Sequence, residues 1–259
     1  MSDYTVSASI VSYGGFEEVQ EAAATLLQHT KAAALQLYLI DNNSPDGTGE
    51  RLAEVYQDNP QVTVCNLTEN IGFGKGHNVC LDKISSDYHA VVNPDIIIDH
   101  DVLKEICTYM QQHPDVVMVT PQLRFPTGEI QNVAKRKPTV LALAARQLPL
   151  KFLKKYETHY LMLDEDLSVP HEVEFCSGCF FVMRTDVLKQ IGGFDPAYFM
   201  YVEDADITQK ALQVGKAVYL PTTYVFHAWH RAAHSNFKHF SMQMKSMMRY
   251  FKKWGFSIK

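Results

Sequence analysis

No run of this 259-residue sequence approaches the roughly 20 apolar residues needed to span a bilayer, and the N-terminus has no signal-peptide hydrophobic region. A membrane-spanning or exported chain is therefore not expected; the reading is a cytoplasmic protein or one peripheral on the inner face of the plasma membrane. Acidic residues are absent after Asp206, where Lys210, Lys216, Arg231, Lys238, Lys245, Arg249, Lys252, Lys253 and Lys259 follow. The chain as a whole still carries a net charge of -5, which argues against nucleic acid as a partner. The basic C-terminal part suits a diphosphate or an anionic membrane surface. The five cysteines include Cys176 and Cys179 but no second pair or histidine set at zinc spacing, and the pair lacks a thioredoxin-like context. Reduced, packed thiols are expected. Internal repeats and low-complexity linkers are also missing, so one main domain follows from the length and the 46% hydrophobic content.

What is present is alternation. Thr5 to Tyr13 is an apolar run ending at Gly14-Gly15, followed by helical spacing through Phe16, Val19, Ala23, Leu26 and Leu27. Leu35 to Ile40 predicts a second strand and Glu50 to Tyr56 a helix. Val62 to Leu67 predicts a third strand, His77 to Ile84 a helix after the Gly72-Phe73-Gly74-Lys75-Gly76 loop, and His89 to Val92 a fourth strand. This βαβ pattern predicts an α/β fold with a doubly wound, mostly parallel sheet and helices on both faces. Polar loops at the carboxyl ends of such strands lie together and form the ligand crevice. The second half is less regular. It predicts strands at Val116 to Thr120, Val173 to Met183 and Ala217 to Leu220, a loop or helix over Ala134 to Tyr156, a short helix from Asp186 to Gly192 and another from Glu203 to Val214.

The loops hold the chemistry. Asp41-Asn42-Asn43-Ser44 can form an Asx turn, and beside the crevice Asp41 can also accept a hydrogen bond from a base or ribose. The glycine loop is not a Walker pattern, but its backbone and Lys75, flanked by Asn70 and Asn78, can approach a phosphate or base. Asn93-Pro94-Asp95 places a carboxylate past a strand end, where it serves equally as a cap or as a ligand of a divalent cation. Glu203-Asp204-Ala205-Asp206 puts three carboxylates in one helical turn. At least one complements the helix N-terminus, and clustering raises their pKa values as a general base requires. His227, His230 and His234 cluster after the last strand, favouring a metal or phosphate role for at least one.

Taken in order, Val11-Ser12-Tyr13, Asp41-Asn42-Asn43-Ser44, Asn70-Ile71-Gly72-Phe73-Gly74, Asn93-Pro94-Asp95, Ser177-Gly178, Gly192-Gly193-Phe194-Asp195 and Tyr201-Val202-Glu203-Asp204-Ala205-Asp206 resemble family 2 glycosyltransferases. The resemblance covers nearly the whole chain and is greatest to the rhamnosyltransferase branch, which builds O-antigen and other bacterial surface polysaccharides. It implies a GT-A fold, a Mg²⁺ or Mn²⁺ ion, a nucleotide diphosphate sugar donor, a glycan acceptor that can be lipid-linked, and inversion by one direct displacement. It implies a donor site on Ser12, Tyr13, Asp41, Asn43, Asn70, Gly74, Lys75, Asn93 and Asp95, with Asp95 and His227 at the metal. Asp204 is then the catalytic base, with Ser177, Gly178, Glu203, Asp206 and Trp229 at or behind the acceptor. Asn93 stands where the family's metal motif has its first Asp.

Two rivals share this reading of the fold. A nucleotidyltransferase would need a basic phosphate-activating loop near the N-terminus, and Ser12-Tyr13-Gly14-Gly15 is not basic. A noncatalytic nucleotide- or glycan-binding subunit would not need Asp204. Residues 1–225 are read as the catalytic domain, with the donor half in 1–100 and the acceptor half in 101–225. Residues 226–259 are read as a basic amphipathic extension. There Phe237, Phe240, Met244, Met247, Met248, Phe251 and Trp254 recur at helical spacing opposite Lys238, Lys245, Arg249, Lys252 and Lys253. Such a helix either lies on an anionic membrane or packs on the core.

Overall fold

The computed structural model describes residues 4–31, 33–147, 151–228 and 237–256. The expected site residues Trp229, His230 and His234 lie outside the described residues. In chain order the elements are β1 (Val6–Ser12), α1 (Phe16–His29), β2 (Leu35–Asp41), α2 (Thr48–Tyr56), β3 (Val62–Asn66), α3 (Phe73–Asn78), β4 (Tyr88–Val92), β5 (Ile96–Ile97), α4 (Val102–Gln112), β6 (Val116–Arg124) and β7 (Ile130–Gln131). There follow α5 (Val140–Gln147), α6 (Lys154–Tyr160), β8 (His171–Glu172), β9 (Phe180–Arg184), α7 (Thr185–Gln190), α8 (Glu203–Ala211), β10 (Lys216–His227) and α9 (Phe237–Trp254).

The first half forms as its pattern dictates. β1 is buried at all seven positions, as a strand covered on both sides must be. Gly14 and Gly15 turn the chain at φ 85° and 78°, and α1 then buries Phe16, Val19, Ala22, Ala23 and Leu26. Each large side chain on that face contributes about 1.5–3 kcal/mol through removal from water. Strands β3, β2, β1 and β4 lie side by side and parallel. The chain moves outward from β1 to β3 and then returns past β1 to β4. Right-handed crossovers therefore place α1 and α2 on one face and α3 on the other. Ser12 and Asp41 are register partners, so the ends of β1 and β2 open on the same edge.

The second half departs from a mostly parallel expectation. β9 inserts antiparallel between β4 and β6, and β10 runs parallel to β6 but antiparallel to β5 and β8, so the sheet is mixed. The single strand expected over Val173 to Met183 is broken. Only β9 joins β4 and β6, because the amides of Cys176 and Gly178 donate to side chains of α8, Thr208 Oγ1 at 3.2 Å and Asp204 Oδ2 at 3.1 Å. α4 and its Asp101 cap, whose carboxylate accepts from the Lys104 amide, were not anticipated from the sequence pattern.

The glycine-rich segment also differs from a loop. Gly74 and Gly76 lie within α3, where a Cβ would come within 2.8 Å of Phe194 Cβ and 2.7 Å of Val11 Cγ1. Their lack of side chains lets α3 seat on β1 and on the 192–195 turn. We expect Gly76→Ala to lower stability by about 1–3 kcal/mol through overpacking against β1, measurable by urea denaturation; a change within error would show that the contact relaxes freely.

Candidate active site

The edge at the ends of β1 and β2 is organised around Asp41. Its buried carboxylate accepts from the Ser44 amide at 2.9 Å and from Ser12 Oγ at 3.3 Å, and also from the Ser44 hydroxyl. Ser44 Oγ in turn accepts from the Gly14 amide at 2.6 Å, tying the two strand-end turns together. Asn43 takes a left-handed φ of 61°, which asparagine tolerates in such turns. Tyr13 is exposed at the mouth of this edge. The Asx turn and the nucleotide contact read from the sequence are thus compatible, since the turn holds the carboxylate in place. Asn42 reaches across to α3, donating to the Gly72 carbonyl at 3.2 Å, while Asn70 Oδ1 accepts from the Gly72 amide at 3.0 Å. Lys75 is half-buried on α3, whereas Gly74 beside it is buried against Phe194.

The second cluster lies past β4. The amide of Asn93 donates to the Cys179 carbonyl at 2.8 Å, and no helix follows Asp95, so the cap reading lapses; Ile96–Ile97 instead pairs with the end of β10. This pairing carries Asp95 to His227, with Oδ2 and Nε2 3.2 Å apart. Gln131 Nε2 donates to the His227 carbonyl at 2.8 Å, and its Oε1 sits 2.9 Å from Nδ1, directing Nε2 at the carboxylate. Burial opposes the charge of His227, but Asp95 and the Cys179 thiol outweigh it and push the imidazole up to about 10. Asp95 Oδ1 is buried without a hydrogen-bond partner. The unsatisfied Asp95 oxygen is a donor that Mg²⁺ or Mn²⁺ would accept when diphosphate oxygens complete the shell, and His227 can join it only as the neutral imidazole, after the cation displaces its proton. Among the described residues no group of three or more His, Cys, Asp or Glu could hold a metal by itself.

The third cluster is the start of α8, where three neighbouring carboxylates meet three environments. Glu203 is buried, its Oε2 lacks a partner, and burial together with the Asp204 charge raises its pKa. Asp204 is also raised by desolvation, but Lys135 and the amides of Gly178 at 3.1 Å and Ala205 at 2.9 Å hold that rise back. Asp206 points away, fully buried, and accepts from Lys253 Nζ at 2.9 Å, Trp254 Nε1 at 2.7 Å and Tyr198 OH at 3.3 Å. Asp206 therefore lies behind the turn, tied to α9, rather than at a surface that an acceptor could reach. Ser177, Gly178 and Cys179 bridge the clusters: Gly178 binds Asp204, and Cys179 meets both Asn93 and His227. Cys176 and Cys179 are free thiols, Cys176 with its pKa raised by burial, in keeping with packing rather than redox chemistry. Gln131 and Lys135 carry no signal in the sequence, because each becomes relevant only through a partner some hundred or seventy residues away.

The Glu203 carboxyl keeps its proton in the folded chain at pH values where the unfolded chain has lost it. Its contribution to stability therefore falls as pH rises from the ordinary glutamate range, about 4.3, to the raised folded value. Glu203→Gln removes this dependence, so the melting temperature of the variant should gain on the parent between pH 5 and pH 8; parallel melting curves across that window would place the carboxyl in water.

Comparison with known proteins identifies the family and the fold. The sequence pattern of glycosyl transferase family 2 matches residues 7–192. An N-acetylglucosaminyl-diphospho-decaprenol L-rhamnosyltransferase of Mycobacterium tuberculosis is 25% identical over 231 residues, covering 84% of this chain and 74% of the relative. Rhamnosyltransferase WbbL of Escherichia coli K12 is 27% identical over 198 residues, 69% of each chain. The fold is similar to that of GalNAc-T7, solved with UDP, GalNAc and Mn²⁺, at TM-score 0.73 and 16% identity, over 97% of this chain but only 49% of the other. It is also similar to mannosyltransferase PcManGT of Pyrobaculum calidifontis, solved with GDP-Man and Mn²⁺, at TM-score 0.64 and 14% identity, over 96% of this chain and 64% of the other. The architecture is the GT-A fold, and the chain belongs to glycosyl transferase family 2, with its similarity to the rhamnosyltransferase branch of those glycosyltransferases.

Proposed function

We propose that this glycosyltransferase moves a rhamnosyl group from dTDP-rhamnose onto a hydroxyl of a lipid-linked precursor of a bacterial surface polysaccharide, by a single displacement with inversion. The observation that carries the reading is the separation of Asp204 from the Asp95–His227 pair by the Ser177–Cys179 turn. One group can then take the acceptor proton while the other end of the site holds the diphosphate. Ser12, Tyr13, Asp41, Asn43, Asn70 and Lys75 line the way to the donor, with Asp41 accepting from the base or ribose and Lys75 facing the phosphates. The acceptor oxygen attacks the anomeric carbon as the bond to the diphosphate breaks, and its proton passes to Asp204. A Mg²⁺ or Mn²⁺ ion held by Asp95 and His227 would offset the charge on the departing diphosphate. The raised pKa of Asp204 suits a base that must accept a proton near neutrality.

Asp204→Asn should reduce transfer at least about 10²-fold while donor binding, read by thermal shift with nucleotide sugars, is kept. Near-normal turnover would remove Asp204 from the role. Asp95→Ala should abolish the metal-dependent part of the donor-induced shift, and EDTA should inhibit the parent; full activity in EDTA would show that the donor is held without a cation.

We further infer that the chain meets its lipid-linked acceptor at an anionic bilayer through α9. No described helix is long and apolar enough to cross a membrane. The apolar stripe of α9 divides in two: Tyr250, Phe251, Met247 and Trp254 face the protein, while Phe240, Met244 and Met248 are exposed beside Lys245, Arg249 and Lys252. Lys253, grouped with those basic residues by sequence pattern, turns inward to the half-buried Asp195 and to Asp206, whose buried carboxylate claims it. Each surface cation near an anionic leaflet adds about 1 kcal/mol of attraction. Replacing Lys245, Arg249 and Lys252 by Gln should therefore release the protein from phosphatidylglycerol-containing vesicles at low salt; equal co-sedimentation of parent and variant would reject the contact.

A further inference from the structure

The turn that launches α8 is held in an unfavourable backbone conformation. Tyr201 and Val202 both have positive φ, 70° and 68°, and Val202 is β-branched, for which the left-handed region is most strongly disfavoured. Such residues persist only where surrounding contacts over-determine them. Here many of those contacts come from one element, α9. Ser246 Oγ donates to the Met200 carbonyl at 2.9 Å, immediately before the turn. The Tyr201 hydroxyl lies 2.9 Å from His239 Nδ1. Val202 packs against a cluster that includes Tyr250 and Phe251, with Met247 and Trp254 beside it. Past the turn, Lys253 and Trp254 hold the buried Asp206, two residues beyond Asp204 on the same helical turn. Lys253 also pairs with Asp195 at 2.9 Å, and Lys137 Nζ donates to the Trp254 carbonyl at 3.0 Å, so the end of α9 is itself fixed.

We propose that α9 is a clamp on the catalytic turn: Ser246, His239, Lys253 and Trp254 are positioning residues that keep Tyr201 and Val202 strained and thereby aim Asp204 at the acceptor hydroxyl. The inference rests on Asp204 being the base. Without the clamp the turn can relax toward negative φ, which rotates the first residues of α8 and draws Asp204 away from the Gly178 amide. A displacement of that size matters because transfer depends on sub-ångström placement of the reacting groups. Among the described residues, those proposed to contact the donor, on β1, β2, α3 and β4, form no hydrogen bond or ion pair with α9 and meet the turn only indirectly, through Gly72 and Phe199, so the effect on donor binding is expected to be much smaller than that on turnover.

The test uses the full-length enzyme with three variants that each delete one attachment: Tyr201→Phe, Ser246→Ala and Trp254→Phe. The clamp predicts that kcat falls about tenfold or more in each, with donor KM within about twofold of the parent. Lys253→Arg, which keeps the cation at Asp206, should retain most of kcat, whereas Lys253→Met should not. Unchanged kcat in all three deletions, with only the melting temperature lowered, overturns the proposal, as does a parallel loss of kcat and donor binding, which would make α9 a general support of the fold. Asp204→Asn is assayed beside them: if it remains active the assignment of the base has failed, and if it is inactive while the deletions turn over normally the clamp alone has failed.

Discussion

The close approach of Gly72 to Phe199 sets the register between the two halves of this molecule. A Cβ on Gly72 would stand 2.2 Å from the Phe199 carbonyl oxygen, and the Phe73 amide donates to that same oxygen at 3.1 Å. Only glycine allows it, both for space and for its φ of 91°. On one side, Gly72 is held by Asn42 and Asn70 and hence by the Asp41 corner. On the other, Phe199 opens the segment that ends in the strained turn and α8. The Asp41 edge and α8 are therefore joined through this backbone contact, supported nearby where Asn78 pairs with the Phe194 backbone and where Gly178 packs against both Phe73 and Asp204.

From that junction the site resolves into separate electrostatic tasks. Clustered carboxylates repel, and three in one helical turn could not all remain ionised in one environment. Burial keeps the proton on Glu203, backbone amides and Lys135 favour the charge on Asp204, and Lys253 with Trp254 takes up the charge of Asp206. The same division separates Asp204 from Asp95, whose partner His227 arrives from the far end of β10. Different environments let carboxylates of one kind be neutral packing at Glu203 and an anchor at Asp206, and suit the roles of base and metal ligand proposed for Asp204 and Asp95.

The C-terminal helix joins these tasks to the surface. Its inner side completes a small apolar cluster with Ala142, Tyr160, Phe175 and Ala205, apart from the main core around the sheet, and its outer side leaves Phe240, Met244 and Met248 in water. A basic amphipathic pattern by itself is equally consistent with core packing and with an interface. In this chain the helix is wide enough in its apolar arc to do both, because the two stripes fall on different sides of it.

Much of the donor half is legible in the sequence because its determinants are local. The βαβ pattern, the glycine turns at Gly14-Gly15 and the polar strand ends at Asp41 and Asn93-Pro94-Asp95 depend on periodicity and on residues adjacent in the chain. The ordered motifs likewise sufficed for the family, and for the expectation that α8 begins with Glu203 and Asp204. What pattern alone left undecided were the contacts between distant segments: the antiparallel insertion of β9, the helix Phe73–Asn78 that takes in Gly74 and Gly76, and the pairing of Asp95 with His227 through Gln131. Asp206 and Lys253 show the limit most clearly. The sequence places Asp206 at or behind the acceptor and Lys253 on the basic face of the C-terminal helix, yet the two are drawn together across 47 positions because a buried carboxylate requires a cation that only the folded chain brings within 2.9 Å.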